Sequence, residues 1–173
     1  MADDTFEVKA LGGIMDSRNI TFSNCIAWGG YARCFGITGE VNKSISDVTF
    51  RYCAVVYRDG IWDNDRIGSL VVVAEQTKGS IDGVLFENIE IFRDEGRPIL
   101  VKIYDEEAEN FEIKNVVFRN ISYTSYMKPK IAGTDSNTNT VQVNLDGITV
   151  CGREQQFPKT MFNIGKYCDV TSD

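Results

Sequence analysis

A five-residue pattern, Val/Ile-x-Phe-x-Asn, recurs along this chain together with near relatives of it. The copies, of which the last is the weakest, begin at Ile20, Val48, Val84, Val116 and Val143. Successive copies start 28, 36, 32 and 27 residues apart, a period typical of solenoid proteins, in which each repeat forms one coil stacked on the last. Because apolar residues occupy alternate positions of each copy, the pattern predicts β-strands rather than helices.

Stacking of the coils would align equivalent residues in rows. Neighbouring strands lie about 4.8 Å apart, so we predict an aromatic row inside the coils and an amide row at the turn that follows. The aromatic row comprises Phe22, Phe50, Phe86 and Phe118, and the amide row comprises Asn24, Asn88 and Asn120. Side-chain amides can bond their copies in the next coil, but Tyr52 occupies the equivalent position of the second copy and interrupts this row.

A leucine-rich repeat solenoid is the alternative with a similar period. It requires leucines at fixed spacings and a helical segment opposite the strand, whereas here Val, Ile and Phe fill the motif and no segment shows a helical apolar stripe. A second family of strands is predicted at residues 34–38, 70–75, 99–104 and 130–132. We therefore predict an all-β, right-handed parallel β-helix of about five coils.

Composition limits the domain organisation and the partners. With 173 residues, 43% of them hydrophobic, the chain can form one substantial core. Its 18 basic and 25 acidic residues give a net charge of −7, which argues against nucleic acid as a partner because phosphate binding depends on clustered cations. The longest apolar run, residues 70–74, is far shorter than a membrane span, so we expect no membrane partner.

The two ends of the repeat region differ. Residues 1–152 are predicted to form the coils, and residues 153–173, which lack the repeat, to form a tail that caps them. The sequence enters a coil directly at Asp3, so we expect it to be the C-terminal part of a longer, secreted or periplasmic β-helix whose signal peptide lies elsewhere. Unpaired strand edges of the first coil predict self-association through that coil.

Cysteine and histidine usage restricts the chemistry. There are five cysteines and no histidine, which excludes Ser-His triads, Cys-His pairs and the usual zinc sites. Cys25 and Cys53 occupy matching coil positions and are interpreted as small interior fillers, with a disulfide between stacked coils as the alternative. We predict no metal and no cofactor, so any acid–base chemistry falls to carboxylates, Lys, Tyr or Cys.

Three segments carry a resemblance to a known family: Asp3-Asp4 followed by Lys9, Arg18-Asn-Ile-Thr-Phe-Ser-Asn-Cys25, and Ser46-Asp-Val-Thr-Phe-Arg-Tyr-Cys53. They resemble the polygalacturonase family, glycoside hydrolase family 28, and related dextranase-like glycosidases. The similarity covers residues 3–152, and residues 161–167 resemble the closing segment of bacterial members. The resemblance implies a pectin-lyase-like β-helix that hydrolyses a polysaccharide with inversion of configuration.

The same resemblance assigns candidate roles. It implies that Asp3 is the general acid and that Asp4 is the base that activates water. Inverting hydrolysis needs one protonated and one ionised carboxyl about 6.5–9.5 Å apart, and neighbouring carboxylates push each other's pKa values apart. The family's third carboxylate, from an Asn-x-Asp segment one coil earlier, has no counterpart here, so we expect little or no hydrolysis by this chain alone.

Candidate substrate-binding residues combine cations with rings that stack on sugars. They are Lys9, Trp28, Tyr31, Arg33 and Trp62, although such rings also cap coil corners in β-helices and Arg33 could be an ordinary surface residue. The family's Gly-His-Gly has no histidine counterpart in residues 30–36, and its Arg-Ile-Lys aligns with residues 70–73, which contain no cation. Galacturonan and a neutral or differently charged glycan therefore both remain open as substrates.

Three classes of function are compatible with these observations. The first is a polysaccharide hydrolase or the C-terminal portion of one, favoured by Asp3, Asp4 and Lys9. The second is a carbohydrate-binding β-helix without turnover, favoured by the missing family cations. The third is a structural solenoid, as in a tailspike or adhesin, which only the repeats favour.

Overall fold

The chain folds into strands that belong to two parallel sheets. The computed structural model describes residues 3–13 and 15–172. Sheet I has seven strands: β1 (Phe6–Ala10), β4 (Arg33–Val41), β6 (Gly68–Ala74), β7 (Gln76–Thr77), β9 (Ile99–Ile103), β11 (Lys130–Ala132) and β14 (Asn163–Ile164). Sheet II has eight: β2 (Ser17–Ser23), β3 (Ile26–Gly30), β5 (Ile45–Arg58), β8 (Ile81–Ile91), β10 (Glu112–Tyr123), β12 (Thr140–Val150), β13 (Arg153–Glu154) and β15 (Cys168–Ser172).

The chain alternates between the two sheets, so each strand pairs with its counterpart in the next coil. The strand order is β1-β4-β6-β9-β11-β14 in sheet I and β13-β12-β10-β8-β5-β2 in sheet II. Pairing is parallel along both sheets, apart from the short β12–β13 contact. The result is a parallel β-helix of about six turns, which confirms the predicted fold class. Among the residues described, no helix is long and apolar enough to span a membrane.

The predicted aromatic row is confirmed inside sheet II. The rings of Phe22, Phe50, Phe86 and Phe118 stack in that order, with centroids 5.1, 5.0 and 4.9 Å apart. Phe50, Phe86 and Phe118 are fully buried, whereas Phe22, in the first coil, is only partly buried. The row follows from parallel in-register pairing, which places identical motif positions directly above one another.

Backbone conformation explains the amide row. Asn24, Tyr52, Asn88 and Asn120 all have positive φ angles of 51–58°, the left-handed region that Asn tolerates better than most residues. Asn120 Nδ2 donates to Asn88 Oδ1 at 3.0 Å, so that step of the predicted row is confirmed. Asn120 is exposed, which places the row on the outside of the turn.

The tail predicted to cap the coils extends both sheets. It contains β13, a short 3-10 helix at Pro158–Met161, β14, which pairs with β11, and β15, which pairs with β12. Phe162, at the end of the short helix, is 6% exposed and packs into the core. At the other end, β1 and β2 are the outermost strands described, and self-association through them stays a prediction. All five cysteines have free thiols.

A buried ion pair fixes the corner between β5 and β6. Arg58 Nη2 lies 2.6 Å from Asp94 Oδ1, and both side chains are fully buried. Ser69 donates to the same carboxylate, and Arg58 also donates to the carbonyl oxygen of Gly60 at 2.7 Å. Because a buried charge without partners is costly, these contacts hold the loop of residues 59–67 in place against sheet I.

Candidate functional site

The outer face of sheet I is unusual because its apolar residues are shielded from solvent. Leu70 and Val72 face the core, so their neighbours Val71 and Val73 point outwards. Val71, Val73 and Leu100 are nevertheless 0% exposed and form a cluster of their own outside the sheet. Strand β6 is therefore buried on both faces, and something outside the sheet must cover it.

Long charged side chains lie over this outer face and form a connected network, which we call the charged strip. Its cations are Lys9, Arg33, Arg66, Arg97, Lys102 and Lys130, and its carboxyl groups are Asp4, Glu7, Asp63, Asp65 and Glu75. The strip extends from β1 to β11, across the coils. Its residues come from strands of sheet I and from the loops on either side of them.

One end of the strip is centred on Asp4. The Asp4 carboxylate lies 3.0 Å from Lys9 Nζ and 3.5 Å from Arg33 Nη1, and its side chain is 11% exposed. Arg33 also bonds Glu75 Oε1 at 2.7 Å and the Arg66 carbonyl oxygen at 2.8 Å. Burial lowers the pKa of Lys9, but its contact with Asp4 outweighs this and leaves that pKa raised. Asp4 is therefore held between two cations.

The middle of the strip is built around one aromatic ring. Tyr104 lies between two cations, with Arg66 4.1 Å and Lys102 4.5 Å from its ring centroid. Arg66 is also 3.5 Å from Asp63 Oδ2. Cations over an aromatic face are attracted to its π-electrons, so Tyr104 holds both charges over the buried valines.

At the far end, one carboxylate is shared by three cations. Asp65 lies 2.8 Å from Lys130 Nζ, 3.4 Å from Lys102 Nζ and 3.8 Å from Arg97 Nη2. Burial raises the pKa of Asp65, but hydrogen bonds and charges from Lys130 and Lys102 outweigh it and lower that pKa. Arg97 is anchored by donating to the carbonyl oxygens of Asn64 and Lys128. A single carboxylate cannot neutralise three cations.

The strip gathers cations in a chain that is acidic overall. The carboxyl of Glu7 is buried, and burial raises its pKa well above the usual range. The ion pairs of the strip join six cations to Asp4, Asp63, Asp65 and Glu75, and three of those cations share Asp65 alone. This cluster of cations occurs in a chain whose net charge is −7.

Several of the residues predicted from sequence come together at the Asp4 end. Asp4, Lys9 and Arg33 are in direct contact. Asp3 is exposed beside them, and its carbonyl oxygen accepts a hydrogen bond from the Ala32 N–H at 3.3 Å. The structure therefore groups the two predicted acid–base residues with two of the predicted binding residues.

The predicted aromatic residues are arranged differently. Trp28 lies on β3 of sheet II, opposite Tyr57, and is 75% exposed. Tyr31 and Trp62, in the loops that lead to β4 and β6, are 40% and 51% exposed. Within residues 3–13 and 15–172, no hydrogen bond joins any of the three predicted rings to Asp4.

Sequence reasoning missed most of the strip's cations. The resemblance aligned the family's cation pair with residues 70–73 on β6, which has none, but Lys102 lies beside Val73 on the next strand of sheet I. Lys130 pairs with Leu100 one coil further on. The available signal was the outward-facing position of Lys102 on a strand that flanks β6.

Two other features limit the choice of site. A depression of about 580 Å³ lies on sheet II, and its lining includes Glu112, Lys114 and Asp169; its lining shares no residue with the charged strip. Within residues 3–13 and 15–172, no group of three or more His, Cys, Asp or Glu side chains is arranged to hold a metal ion. The charged strip is therefore the candidate site.

Comparisons with protein-family models, with curated proteins and with solved structures find no match to this chain. The geometry and charge of the strip are therefore the basis for a functional proposal.

Proposed function

We propose that this protein is an inverting, carboxylate-based glycoside hydrolase that binds an anionic polysaccharide along the charged strip. The observation that carries the proposal is the gathering of Arg97, Lys102 and Lys130 around one carboxylate, Asp65, on the outer face of sheet I, in a chain of net charge −7. Such a gathering of cations attracts anions to one face of a protein that is otherwise acidic.

The shape of the strip favours an extended ligand. Five strands of sheet I, from β1 to β11, lie side by side beneath it, and at the usual strand spacing they span roughly 19 Å. A small molecule would contact only part of this length. A polysaccharide chain lying across the coils would contact Asp4 at one end and Lys130 at the other.

The chemistry of the strip favours carboxylate or sulfate groups on the sugar. Arg guanidinium groups bind such anions in a bidentate manner, and Lys binds them as a compact charge. Lys130 keeps 26% of its side chain exposed, and its partner Asp65 is 41% exposed. An incoming anion can therefore compete with Asp65 for the three cations around it.

The hydrolytic part of the proposal rests on Asp3 and Asp4. Both lie at one end of the strip, where a bound chain would pass them, and inverting hydrolysis requires two carboxyl groups on opposite sides of the bond that is cleaved. Asp4 is held in place by Lys9 at 3.0 Å and Arg33 at 3.5 Å, and in this proposal it is the residue that activates water. Exposed Asp3 is free to approach the glycosidic oxygen.

A carbohydrate-binding role without turnover is the second candidate. The observation that favours it is the engagement of Asp4 by Lys9 and Arg33, because carboxylate oxygens that already contact two cations are less accessible to a water molecule. A structural role in a tailspike or adhesin would need only the stacked coils and would not account for the three cations around Asp65.

Binding and turnover can be measured separately. Fluorescence anisotropy with labelled oligogalacturonate, a sulfated oligosaccharide and neutral dextran should show binding of the anionic probes that weakens as salt increases. Equal affinity for dextran, or no binding of any probe, would overturn the proposed ligand class. Reducing-end release with an inverted anomer, lost in Asp4→Asn, would support hydrolysis, whereas binding without release would identify the non-catalytic alternative.

A further inference from the structure

Glu7 stands apart from the other carboxyl groups of the strip. It points outwards from β1, and in the register of sheet I it lies opposite Gly36, followed by Val71 and Leu100. Although the residue as a whole is partly exposed, both carboxyl oxygens are shielded from solvent and have no hydrogen-bond partner. The hydroxyl of Thr38 is buried nearby and acts on the pKa of Glu7 as a donor, without making a regular hydrogen bond.

The groups that face Glu7 come from three elements. Asp4 and Lys9 lie on either side of it in the first coil, and Arg33, Cys34 and Thr38 come from β4. Glu75, after β6, bonds Arg33, and Glu40, at the end of β4, acts on Lys9. Burial and the Asp4 carboxylate raise the pKa of Glu7, and Arg33, Thr38 and Lys9 oppose them less strongly.

The two cations that could neutralise Glu7 are occupied elsewhere. Lys9 contacts Asp4, and Arg33 divides its guanidinium between Asp4 and Glu75. The carboxyl therefore has its charge partners nearby without contacting them. An unpartnered buried polar group costs stability, so packing alone gives no reason for a carboxyl at this position.

We propose that Glu7 is a positioning residue that, in its protonated form, leaves Lys9 and Arg33 to Asp4 and so fixes the geometry of the Asp4 end of the strip. The effect of Glu7 on ligand binding rests on the proposed function, whereas its effect on the contacts of Asp4 does not. Ionisation of Glu7 makes it a competitor for both cations and adds a negative charge beneath the ligand. Glu7 thereby sets the alkaline limit of anionic polysaccharide binding.

The first test follows Glu7 itself and needs no ligand. Carbon-13 NMR of the side-chain carboxyls over a pH titration should show Glu7 titrating well above an ordinary glutamate. In Asp4→Asn, its midpoint should move to lower pH, since the negative charge that favours protonation is gone and both cations are released. An ordinary midpoint in the wild type, or an unchanged midpoint in Asp4→Asn, would overturn the proposal.

The second test measures affinity for oligogalacturonate as a function of pH in three proteins. The wild type should lose roughly tenfold in affinity as Glu7 ionises, the size of effect that corresponds to one pKa unit. Glu7→Gln, which resembles the protonated acid, should retain the higher affinity across that range. Glu90→Gln, at an exposed position of sheet II, controls for the loss of one carboxylate and should behave as the wild type.

The outcomes separate the two proposals. A pH-dependent loss that persists in Glu7→Gln would refute the role of Glu7, whether or not the polysaccharide binds. Absence of binding at every pH would refute the proposed function, while the NMR titration would still decide whether Glu7 and Asp4 are coupled. If Glu7→Gln does not fold, Thr38→Val provides a second variant: it removes the neighbouring hydroxyl, which opposes protonation, and should raise the Glu7 midpoint.

Discussion

The outer faces of the two sheets carry charged residues in different arrangements. On sheet II, Arg51, Glu87, Arg119 and Asp146 occupy one row of adjacent coils and alternate in sign. Arg119 lies 3.2 Å from both Glu87 and Asp146, with 45% of its side chain exposed. On sheet I, six cations converge over buried apolar residues, and three of them share the carboxylate of Asp65.

The outer face of sheet II is therefore an ordinary solvated surface, whereas the outer face of sheet I is an organised network of charged side chains. Charges that cancel along a row need no further partner, and exposed ion pairs contribute little to stability. Cations that share one carboxylate over a desolvated apolar layer can still bind an anion, and their attraction to it is stronger because the effective dielectric constant is lower there. The same coil thus presents an inert outer face on sheet II and a candidate binding face on sheet I.

The largest expected effect compares two leucines that both point outwards from middle coils. Leu100→Ala on sheet I should lower the free energy of unfolding by about 2–5 kcal/mol, because Leu100 is fully buried beneath the strip. Leu85→Ala on sheet II removes the same atoms from a partly exposed position and should cost about half as much or less. Urea denaturation measures both, and equal losses would show that the strip does not cover its sheet.

The second effect compares the ligand affinity of two double variants that have the same net charge as each other. Lys102→Ala with Lys130→Ala should weaken binding of oligogalacturonate by roughly 10- to 100-fold, the loss expected from one charge-assisted hydrogen bond. The control, Arg51→Ala with Arg119→Ala, removes two cations from sheet II and should change affinity by less than about twofold. Similar losses in the two double variants would mean that overall charge, rather than the strip, attracts the ligand.

The third effect is a pH dependence of stability. The folded-state pKa of Glu7 lies above its ordinary value of 4.5, so the folded protein binds more protons than the unfolded chain between those values. The contribution of Glu7 to stability is complete below about pH 4.5 and is lost as pH rises toward the folded-state pKa, by about 1.4 kcal/mol per pH unit. Glu7→Gln should escape this loss, so its thermal stability relative to the wild type should increase with pH.

Thermal unfolding of Glu90→Gln in parallel supplies the control for that comparison. A stability difference between Glu7→Gln and the wild type that stays constant with pH would contradict the raised pKa of Glu7.

The smallest effect belongs to the neutralised row of sheet II. Arg119→Ala removes two exposed ion pairs and should lower the free energy of unfolding only slightly, and by less still in high salt. Arg33→Ala removes a guanidinium that is only 10% exposed and bonds Asp4 and Glu75, and should cost more. Guanidinium is unsuitable as denaturant here because it is itself a salt, so urea should be used.

The sequence predicted the interior of the coils better than their exterior. The alternation around Phe50, Phe86 and Phe118 is a local property of the motif, and stacking follows once the strands are parallel. Asp4 and Lys9 were singled out by the family resemblance, which depends on residues that lie close together in the sequence of one coil. Lys102 and Lys130 were missed because neighbours across coils are about one repeat apart, and the repeats differ in length.

The burial of Glu7 and the position of Trp28 could not be predicted from the sequence, for different reasons. Burial of the Glu7 carboxyl depends on the side chains of Lys9 and Arg33 and on the register of β1 against β4, none of which periodicity reveals. Trp28 was predicted to bind substrate together with Lys9 and Arg33, yet β3 continues sheet II before the chain turns. Trp28 therefore lies on sheet II, whereas the strip lies on sheet I.

The loops that connect the two sheets differ in length from coil to coil, while the motif strands keep the same register. Two residues, 31–32, connect β3 to β4 in the first coil, whereas nine, 59–67, connect β5 to β6 in the second. That longer corner supplies Asp63, Asp65 and Arg66 to the strip. Insertions at corners can therefore change ligand preference while the scaffold stays constant, so loop exchange is a modular route by which such a coil acquires new specificities.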